Sequence, residues 1–297
     1  MLQILLFLIV SLFAVACSRE LPTTELKLVR WYYLNGISEP SGLTMFEDVL
    51  YTVSDKDSDI IYRIDLTDST GNALPHITFD SPQLRSGVGL DFEGITCDSD
   101  GNFYVASESA LRVIYVSVNG DSVAWATASV KKAGENQGLF KTPNANLEGI
   151  ALMGQRRLLL AAERQPRGLI EVDMRGERFT YNVYKYGDSS ALLPEGRSPD
   201  FTGIYTDNES VWALNRNSDA VTRISFGEAD LVEHERWSFS AAVNTPELKY
   251  ENMRFGMAEG IHMDADQIYI ILDNNGIARF QDRNDARPIL LVFERPR

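Results

Sequence analysis

The chain has 297 residues and a formal net charge of −14, from 42 acidic and 28 basic side chains. This acidic balance argues against nucleic acid as a partner, because a phosphate backbone needs a basic footprint. A hydrophobic content of 44% rules out wholesale disorder, and two cysteines with three histidines are too few for a disulfide framework or a Cys/His zinc site.

Fourteen of the first 16 residues are apolar and none is charged. The stretch is too short to span a bilayer comfortably, so it predicts a secretory signal peptide over residues 1–16. Cys17 follows Ala14-Val15-Ala16, which resembles a bacterial lipobox and predicts a lipid anchor on Cys17. The alternative is an ordinary signal peptide cut near Ala16. An aspartate directly after the lipidated cysteine would resemble an inner-membrane retention signal, but this chain has Ser18 there. This difference favours an outer-membrane lipoprotein facing the periplasm. Residues 17–26 are predicted to be the lipidated cysteine and a tether, and residues 27–297 the folded domain.

A repeat organises the rest of the chain. Five segments share one pattern, in which a glycine followed by Ile or Leu leads into a turn and then a β-branched, aromatic run. The five glycines are Gly42, Gly94, Gly149, Gly203 and Gly260, at spacings of 52, 55, 54 and 57 residues. Alternating apolar residues and turn residues within each unit predict strands rather than helices.

Four strands per unit at this spacing predict an all-β chain that forms a single β-propeller with four-stranded antiparallel blades. Five copies of the pattern favour five blades. Further strand-like stretches at 27–34 and 288–294 lie at the two ends of the domain. One of them must complete the fifth blade, and a sixth, degenerate blade built from both ends is the alternative.

Carboxylates recur immediately before the repeat glycines. One residue before each glycine stand Ser41, Glu93, Glu148, Thr202 and Glu259, and three residues before stand Glu39, Asp91, Asn146, Asp200 and Met257. Positions two apart on a strand point to the same side, so this first column is expected to face the central channel. Crowded carboxylates require raised pKa values or a cation, and their hard oxygen atoms suit Ca²⁺. Turn capping and pairing with arginine are the alternative roles.

A second column lies 12–14 residues after each glycine, where a loop opens. It consists of Asp55, Glu108, Glu163, Asn215 and Asp273. Asp and Asn are common in such loops, so this column is the weaker prediction of a second ring of ligands. The candidates for binding an anionic ligand are Arg85, Arg164, Arg216 and Arg254. Because Arg164 and Arg216 directly follow members of the second column, ion pairing is the alternative role for both.

No nucleophile elbow, zinc-protease motif or phosphate-binding glycine loop is present in the sequence, so the catalytic residues stay unknown. His262 lies three residues after Glu259, and a packed histidine is favoured there over a general base.

The repeat residues resemble the SdiA-regulated family of bacterial envelope β-propellers, which is related to proteins labelled "esterase-like activity of phytase". The resemblance rests on P-S-G-L at 40–43, D-F-E-G-I at 91–95, L-E-G-I at 147–150 with E-R at 163–164, T-G-I at 202–204 and A-E-G-I at 258–261. It implies a propeller, a calcium link in some members and a phytase-like label. A looser similarity to calcium-dependent lactonase propellers implies that Glu93, Glu148 and Glu259 ligate the metal.

Two functions remain open. The favoured one is a cell-envelope lipoprotein that binds calcium and serves as a binding, interaction or signalling module for a small anionic ligand or an envelope protein. The alternative is a calcium-dependent, phytase-like hydrolase of a phosphate or carboxylic ester, in which the metal activates water. A fold that hosts many functions does not decide between them.

Overall fold

The computed structural model describes residues 21–67, 70–79, 84, 89–164, 166–186, 193–207, 210–227 and 230–297. The predicted signal peptide, Cys17 and Arg85 lie outside these residues. None of the helices among them is long and apolar enough to cross a membrane.

Short antiparallel strands connected by tight turns form almost the whole domain. The N-terminal segment contributes β1 (Thr23–Glu25) and β2 (Leu28–Asn35). Blade 1 follows with β3 (Pro40–Phe46), β4 (Val49–Ser54), β5 (Asp57–Leu66) and β6 (Thr70–Thr78). Blade 2 comprises β7 (Phe92–Cys97), β8 (Phe103–Ser107), β9 (Arg112–Val116) and β10 (Val123–Trp125). A one-and-a-half-turn helix, α1 (Lys131–Asn136), leads to blade 3.

The remaining blades have the same order of strands. Blade 3 comprises β11 (Leu147–Leu152), β12 (Arg157–Ala162), β13 (Gly168–Asp173) and β14 (Thr180–Lys185). Blade 4 comprises β15 (Gly203–Thr206), β16 (Val211–Asn215), a 3-10 turn (Arg216–Ser218), β17 (Ala220–Phe226) and β18 (Leu231–Ser238). After α2 (Ser240–Val243), blade 5 contains β19 (Ala258–Met263), β20 (Gln267–Leu272) and β21 (Ile289–Glu294).

The N-terminal strand β2 completes the fifth blade. It pairs antiparallel with β21, so blade 5 is built from both ends of the chain. Its last residues also pair in parallel with β6 of blade 1, which joins the first and last blades. The described residues therefore form five blades, as the favoured prediction states, and both terminal strands belong to blade 5 rather than to a sixth.

The segment predicted as a tether takes part in the fold. β1 adds a parallel fifth strand to the outer edge of blade 4, opposite β18, and Leu26 is buried. Residues 23–25 therefore belong to the folded domain, because their backbone groups pair with the otherwise exposed edge of β18.

Each interface between neighbouring blades contains its own hydrophobic cluster. Five clusters are found, and each one combines residues from two adjacent blades, including the pair of blades 5 and 1. The inner strands β3, β7, β11, β15 and β19 contact one another in cyclic order. Burial of apolar side chains between the blades is therefore what closes the ring.

The repeat glycines lie where the inner strands come closest. A Cβ atom on Gly94 would be 2.5 Å from the Glu148 carbonyl oxygen, and one on Gly149 would be 2.9 Å from the Gly203 Cα. A Cβ on Gly260 would be 2.4 Å from the Gly42 carbonyl carbon, and Gly42 itself has a φ of +70°. The backbone of one blade thus occupies the space that a side chain on the next blade would need.

We expect Gly260→Ala to lower the free energy of unfolding by roughly 2 kcal/mol or more, because the added methyl group overpacks the strand contact at the axis. Urea denaturation followed by circular dichroism measures the change. Gly89→Ala is the control, since a Cβ there would meet only the Ser58 Oγ at 3.6 Å. Equal stabilities for the two variants would show that the close approach of the strands does not limit this position.

Candidate functional site

Backbone hydrogen bonds bring the two acidic columns together at one end of the inner strands. The N–H group of each second-column acid donates to the carbonyl of the residue three before the glycine. This bond joins Glu108 to Asp91 at 2.9 Å, Glu163 to Asn146 at 2.9 Å and Asp273 to Met257 at 2.7 Å. The fixed spacing of the two columns in the sequence reflects this pairing.

An acidic cavity of about 350 Å³ opens at this end of the axis. Its acidic lining residues are Asp55, Glu93, Glu108, Glu148, Glu163, Glu259 and Asp273, and its basic lining residues are Arg164, Arg216 and Arg254. Acids therefore outnumber the lining cations by more than two to one. All five blades contribute lining residues, and blades 1 and 4 contribute one each, Asp55 and Arg216.

Arg216 neutralises one half of the cavity. Its Nε atom lies 3.1 Å from the Asp200 Oδ2, and its two terminal nitrogens donate to Glu259 and Glu163. Arg164 also pairs with Glu163. Burial by itself would lower the pKa of Arg216, but Glu259 and Asp200 raise the pKa above its usual value. Arg216 therefore stays charged and joins blades 3, 4 and 5.

The other half of the cavity has a cluster of acids from blades 1 and 2. One carboxylate oxygen each from Asp55, Asp91 and Glu93 lies within 4.8 Å of the others. The Lys56 ammonium group contacts the Asp55 Oδ2 at 2.6 Å and the Glu39 Oε2 at 2.7 Å. Lys56 is half exposed and follows Asp55 in the chain. The cluster thus has a half-exposed cation at its edge.

Three lining carboxyls that Arg216 does not contact lie in surroundings unfavourable for the ionised form. Burial, followed by the charges of Glu259 and Asp91, raises the pKa of Glu93 well above its usual range. Burial and the charge of Glu93 raise the pKa of Glu148 in the same way. Burial with Glu259 raises the pKa of Asp273 to about 8. A cation bound beside Glu93 and Glu148 would favour the ionised form of these two carboxyls.

Three buried carboxylate oxygens at the site have no hydrogen-bond partner in the part of the chain that the structure describes. They are the Asp55 Oδ1, the Glu163 Oε2 and the Glu259 Oε2. A buried unpaired oxygen of this kind is costly, so these atoms call for a cation, a ligand or water.

The residues of the first column divide into three groups. Glu93, Glu148 and Glu259 line the cavity, and Asp91 lies in the acidic cluster beside Glu93. Asp200 is fully buried and accepts from Arg216 and from the Asn217 N–H at 3.0 Å, so it positions Arg216 instead of facing the cavity. Glu39 pairs with Lys56, and Thr202 donates to the Ala258 carbonyl of the next blade at 2.7 Å.

Two predicted amide ligands do not line the cavity. Asn146 contacts a lining residue through its backbone, whose N–H donates to the Glu108 Oε1 at 2.9 Å. The Asn215 side chain accepts from buried Arg167 and donates to the Ala213 carbonyl at 3.1 Å and to Thr222 at 3.0 Å. Neither lines the cavity, whereas the other four members of the second column do. The column that was the weaker prediction therefore contributes four acids to the lining, one more than the first column.

Positions one and three before the glycine were expected to point to the same side because they would lie on one unbroken strand. The strand is interrupted there. Glu39 and Asp91 have φ values of +46° and +54°, and the pairings of β3, β7, β11 and β19 each contain a bulge at the glycine. Asp91 still approaches Glu93, because these bends and not the strand alternation set its direction.

The opposite end of the axis is a separate, uncharged cavity of about 250 Å³. A ring of apolar residues, Leu43, Ile95, Ile150, Ile204 and Ile261, lines it on the axis side. His262 lies in this second cavity with its ring 5.4 Å from that of Tyr205, and burial lowers its pKa to about 4. As predicted, His262 is a packed, neutral histidine.

Sequence reasoning missed Lys56, which contacts Asp55 and Glu39 beside the cavity. Lys56 follows a second-column acid as Arg164 and Arg216 do, so the repeat contained a signal for it. It also missed five lining residues, Asn144, Asn252, Phe255, Asn275 and Ile277. They belong to loops whose length differs from blade to blade, so the repeat had no signal for them.

A family model describes most of this architecture. The model of the SdiA-regulated family matches residues 82–281, about two thirds of the chain. The chain belongs to the SdiA-regulated family. Curated protein sequences give no match.

Solved structures resemble this SdiA-regulated propeller at low sequence identity. Glutaminyl cyclase from Myxococcus xanthus has a TM-score of 0.57 at 11% identity, over 93% of this chain and 100% of that chain. At this identity the likeness extends to the fold alone. A gluconolactonase from Xanthomonas campestris has a TM-score of 0.48 at 12% identity, over 88% and 74%. Virginiamycin B lyase from Staphylococcus aureus has a TM-score of 0.44 at 13% identity, over 91% and 99%.

Replacing Arg216 should be strongly destabilising. We expect Arg216→Gln to lower the free energy of unfolding by roughly 3–5 kcal/mol at pH 8, because Glu163, Glu259 and Asp200 are then buried without their shared cation. The loss should be smaller at pH 5, because burial raises the pKa of Glu259 and the removal of Arg216 raises it further, so that this carboxyl takes up a proton in the folded variant. Urea denaturation at both pH values measures it.

Arg157→Gln is the matched control, since Arg157 pairs with Glu171 at 3.0 Å and is 35% exposed. That change should cost about 1 kcal/mol or less at either pH. A similar small loss in Arg216→Gln would contradict the role assigned to Arg216.

Proposed function

We propose that this SdiA-regulated propeller is a calcium-binding module of the cell envelope, with the ion at the acidic end of the axis. The observation that supports it most is the cluster of Asp55, Asp91 and Glu93, whose oxygens lie within 4.8 Å of one another. Opposite ligands on one Ca²⁺ are separated by about 5 Å, so a single ion can contact all three.

The donor set suits a hard cation. Asp55, Asp91 and Glu93 would hold the ion, and Glu148 from the next blade faces the same space. All four offer carboxylate oxygens, and Asp55 Oδ1 has no partner among the described residues. Seven acids against three arginines leave a net negative lining, which a divalent cation would reduce.

Arg216 explains why the ion belongs on one side of the axis. It already neutralises Glu259, Glu163 and Asp200 in blades 3 to 5. A second cation close to the guanidinium would be repelled, whereas among the described residues Lys56 is the one cation paired with the clustered acids of blades 1 and 2. The proposed site is therefore in the half of the cavity farthest from Arg216's partners.

Removing two of the acids should weaken calcium binding. We expect the double variant Glu93→Gln, Glu148→Gln to bind Ca²⁺ at least about tenfold more weakly, because two anionic donors are lost. Isothermal titration calorimetry on the purified full chain measures it. Glu171→Gln removes a surface acid that pairs with Arg157, and it should leave the affinity unchanged. Unaltered calcium affinity in the double variant would place the ion elsewhere.

The proposed location is the periplasmic face of the outer membrane, through a lipid on Cys17. Cys17→Ser should move the protein from the membrane to the soluble fraction, because several acyl chains on one residue provide the binding energy. Fractionation followed by immunoblotting measures this. Membrane association that persists in Cys17→Ser would contradict the anchor.

Metal-dependent hydrolysis of a phosphate or carboxylic ester is the second candidate function. Asp273 and Arg164 line the same cavity as Glu93 and Glu148, so a general acid and an anion-binding group lie close to the proposed ion. Because burial and Glu259 raise the pKa of Asp273 to about 8, this carboxyl is protonated near neutral pH and can donate to a leaving group.

For this function we expect calcium-dependent turnover of 4-nitrophenyl phosphate or 4-nitrophenyl acetate, and a loss of about 100-fold or more in Asp273→Asn. Release of nitrophenolate measures the rate, and calorimetry checks that the variant still binds Ca²⁺. Absence of turnover in the unaltered chain with either ester would leave the binding module as the function.

A further inference from the structure

One wall of the acidic cavity is a loop that is not part of the repeat. It precedes β19, and its residues Arg254 and Phe255 both line the cavity and are exposed. The Arg254 guanidinium carbon lies 5.1 Å from the centre of the Phe255 ring. A flat cationic group and an aromatic face are thus presented side by side at the cavity mouth.

Arg254 differs from the other two arginines of the cavity. Arg216 contacts three carboxylates and Arg164 contacts Glu163. Over the described ranges, Arg254 makes no ion pair, although seven acids line the same cavity. Its charge therefore remains available to an anion that enters from solvent.

The loop is held firmly in place. The Arg197 side chain donates to the carbonyls of Arg254 at 3.2 Å, Met253 at 3.2 Å and Asn217 at 3.3 Å. The Gly256 N–H donates to the Asn217 Oδ1 at 3.2 Å, and a Cβ on Gly256 would be 1.8 Å from the Arg216 carbonyl oxygen. These contacts fix the backbone of Arg254 and Phe255 beside Arg216, so little ordering is needed when a ligand binds.

Phe255 supplies exposed apolar surface to a cavity lined mostly by polar side chains. Its side chain is 39% exposed, and its neighbours in the lining include Asn252 and Asn275. A ligand that covers the exposed face of the ring removes apolar surface from water and gains affinity of about fivefold or more.

We infer that Arg254 and Phe255 select a small anion with an aryl substituent next to its charged group. The anionic group would contact Arg254 in the cavity that contains the proposed calcium site, and the aryl ring would pack on Phe255. The inference rests on the proposed calcium site, and it names the class of ligand that this site accepts. The unpaired Glu163 and Glu259 oxygens deeper in the cavity are then available to hydroxyl donors of the ligand or to bound water.

Phenylphosphonate and methylphosphonate test the inference, because they differ only in the ring. Calorimetry on the purified full chain first measures Ca²⁺ binding alone, and then the binding of each phosphonate with Ca²⁺ saturating. We expect phenylphosphonate to bind at least about fivefold more tightly than methylphosphonate. Arg254→Gln should weaken both about tenfold, through loss of a charge-assisted contact.

Phe255→Ala should remove the preference for phenylphosphonate without changing the affinity for methylphosphonate, and Phe255→Leu should leave part of it. The control is Phe280→Ala, since Phe280 is 56% exposed and lies outside the cavity lining. Its phosphonate affinities should equal those of the unaltered chain.

The outcomes separate the two proposals. Calcium binding with equal affinities for the two phosphonates, or with none for either, overturns the selection by Arg254 and Phe255 and leaves the calcium site intact. A preference that persists in Phe255→Ala overturns the inference as well. A chain that binds no Ca²⁺ but keeps a Phe255-dependent preference overturns the calcium site and supports the aryl-anion contact.

Discussion

The inner strands of the five blades meet so closely at the axis that glycine is required at their contact points. Gly94 packs on the Glu148 carbonyl, Gly149 on Gly203, and Gly260 on Gly42, so the backbone of each blade touches the next. This contact sets the radius of the ring. It also forces the acids next to the glycines into a space of a few ångströms, because their backbone positions cannot move apart. The charge problem at the acidic end is thus a consequence of how the ring closes.

Arg216 neutralises part of this acidic charge, and the charge of the other lining acids remains without an arginine partner among the described residues. It is held by Asp200 and contacts carboxylates from blades 3 and 5, which links ring closure to electrostatics. In the part of the chain that the structure describes, the clustered acids of blades 1 and 2 pair with Lys56 alone among the cations, and Lys56 is half exposed. The cavity is therefore asymmetric, with a neutralised half and an acidic half, and the loop carrying Arg254 and Phe255 adds a wall that the repeat does not encode. Such asymmetry makes the two sides of a repeated fold chemically different.

Much of the fold was predictable because the repeat is local. Each blade needs its own turns, alternating strands and axial glycine, and these appear in every copy. The sequence predicted that a terminal stretch completes the fifth blade, but not that β2 pairs with both β21 and β6. Strand order at ring closure depends on contacts between opposite ends of the chain, which a local pattern does not contain. The strand formed by Thr23–Glu25 was missed, because three polar residues have no strand pattern and pair only when the edge of β18 is available.

The repeat in the sequence was enough to predict two registered, mainly acidic columns near a propeller axis. The role of each acid depends on contacts that form only in the folded chain. Asp200 and Asn215, which the columns placed among the ligands, bind arginines between blades, while Asp55 and Asp273 face the cavity. The reason is physical: a repeat fixes which backbone positions are equivalent, but bulges, left-handed residues and the long side chains of Arg167 and Arg216 determine where each carboxylate or amide points and which charge it meets.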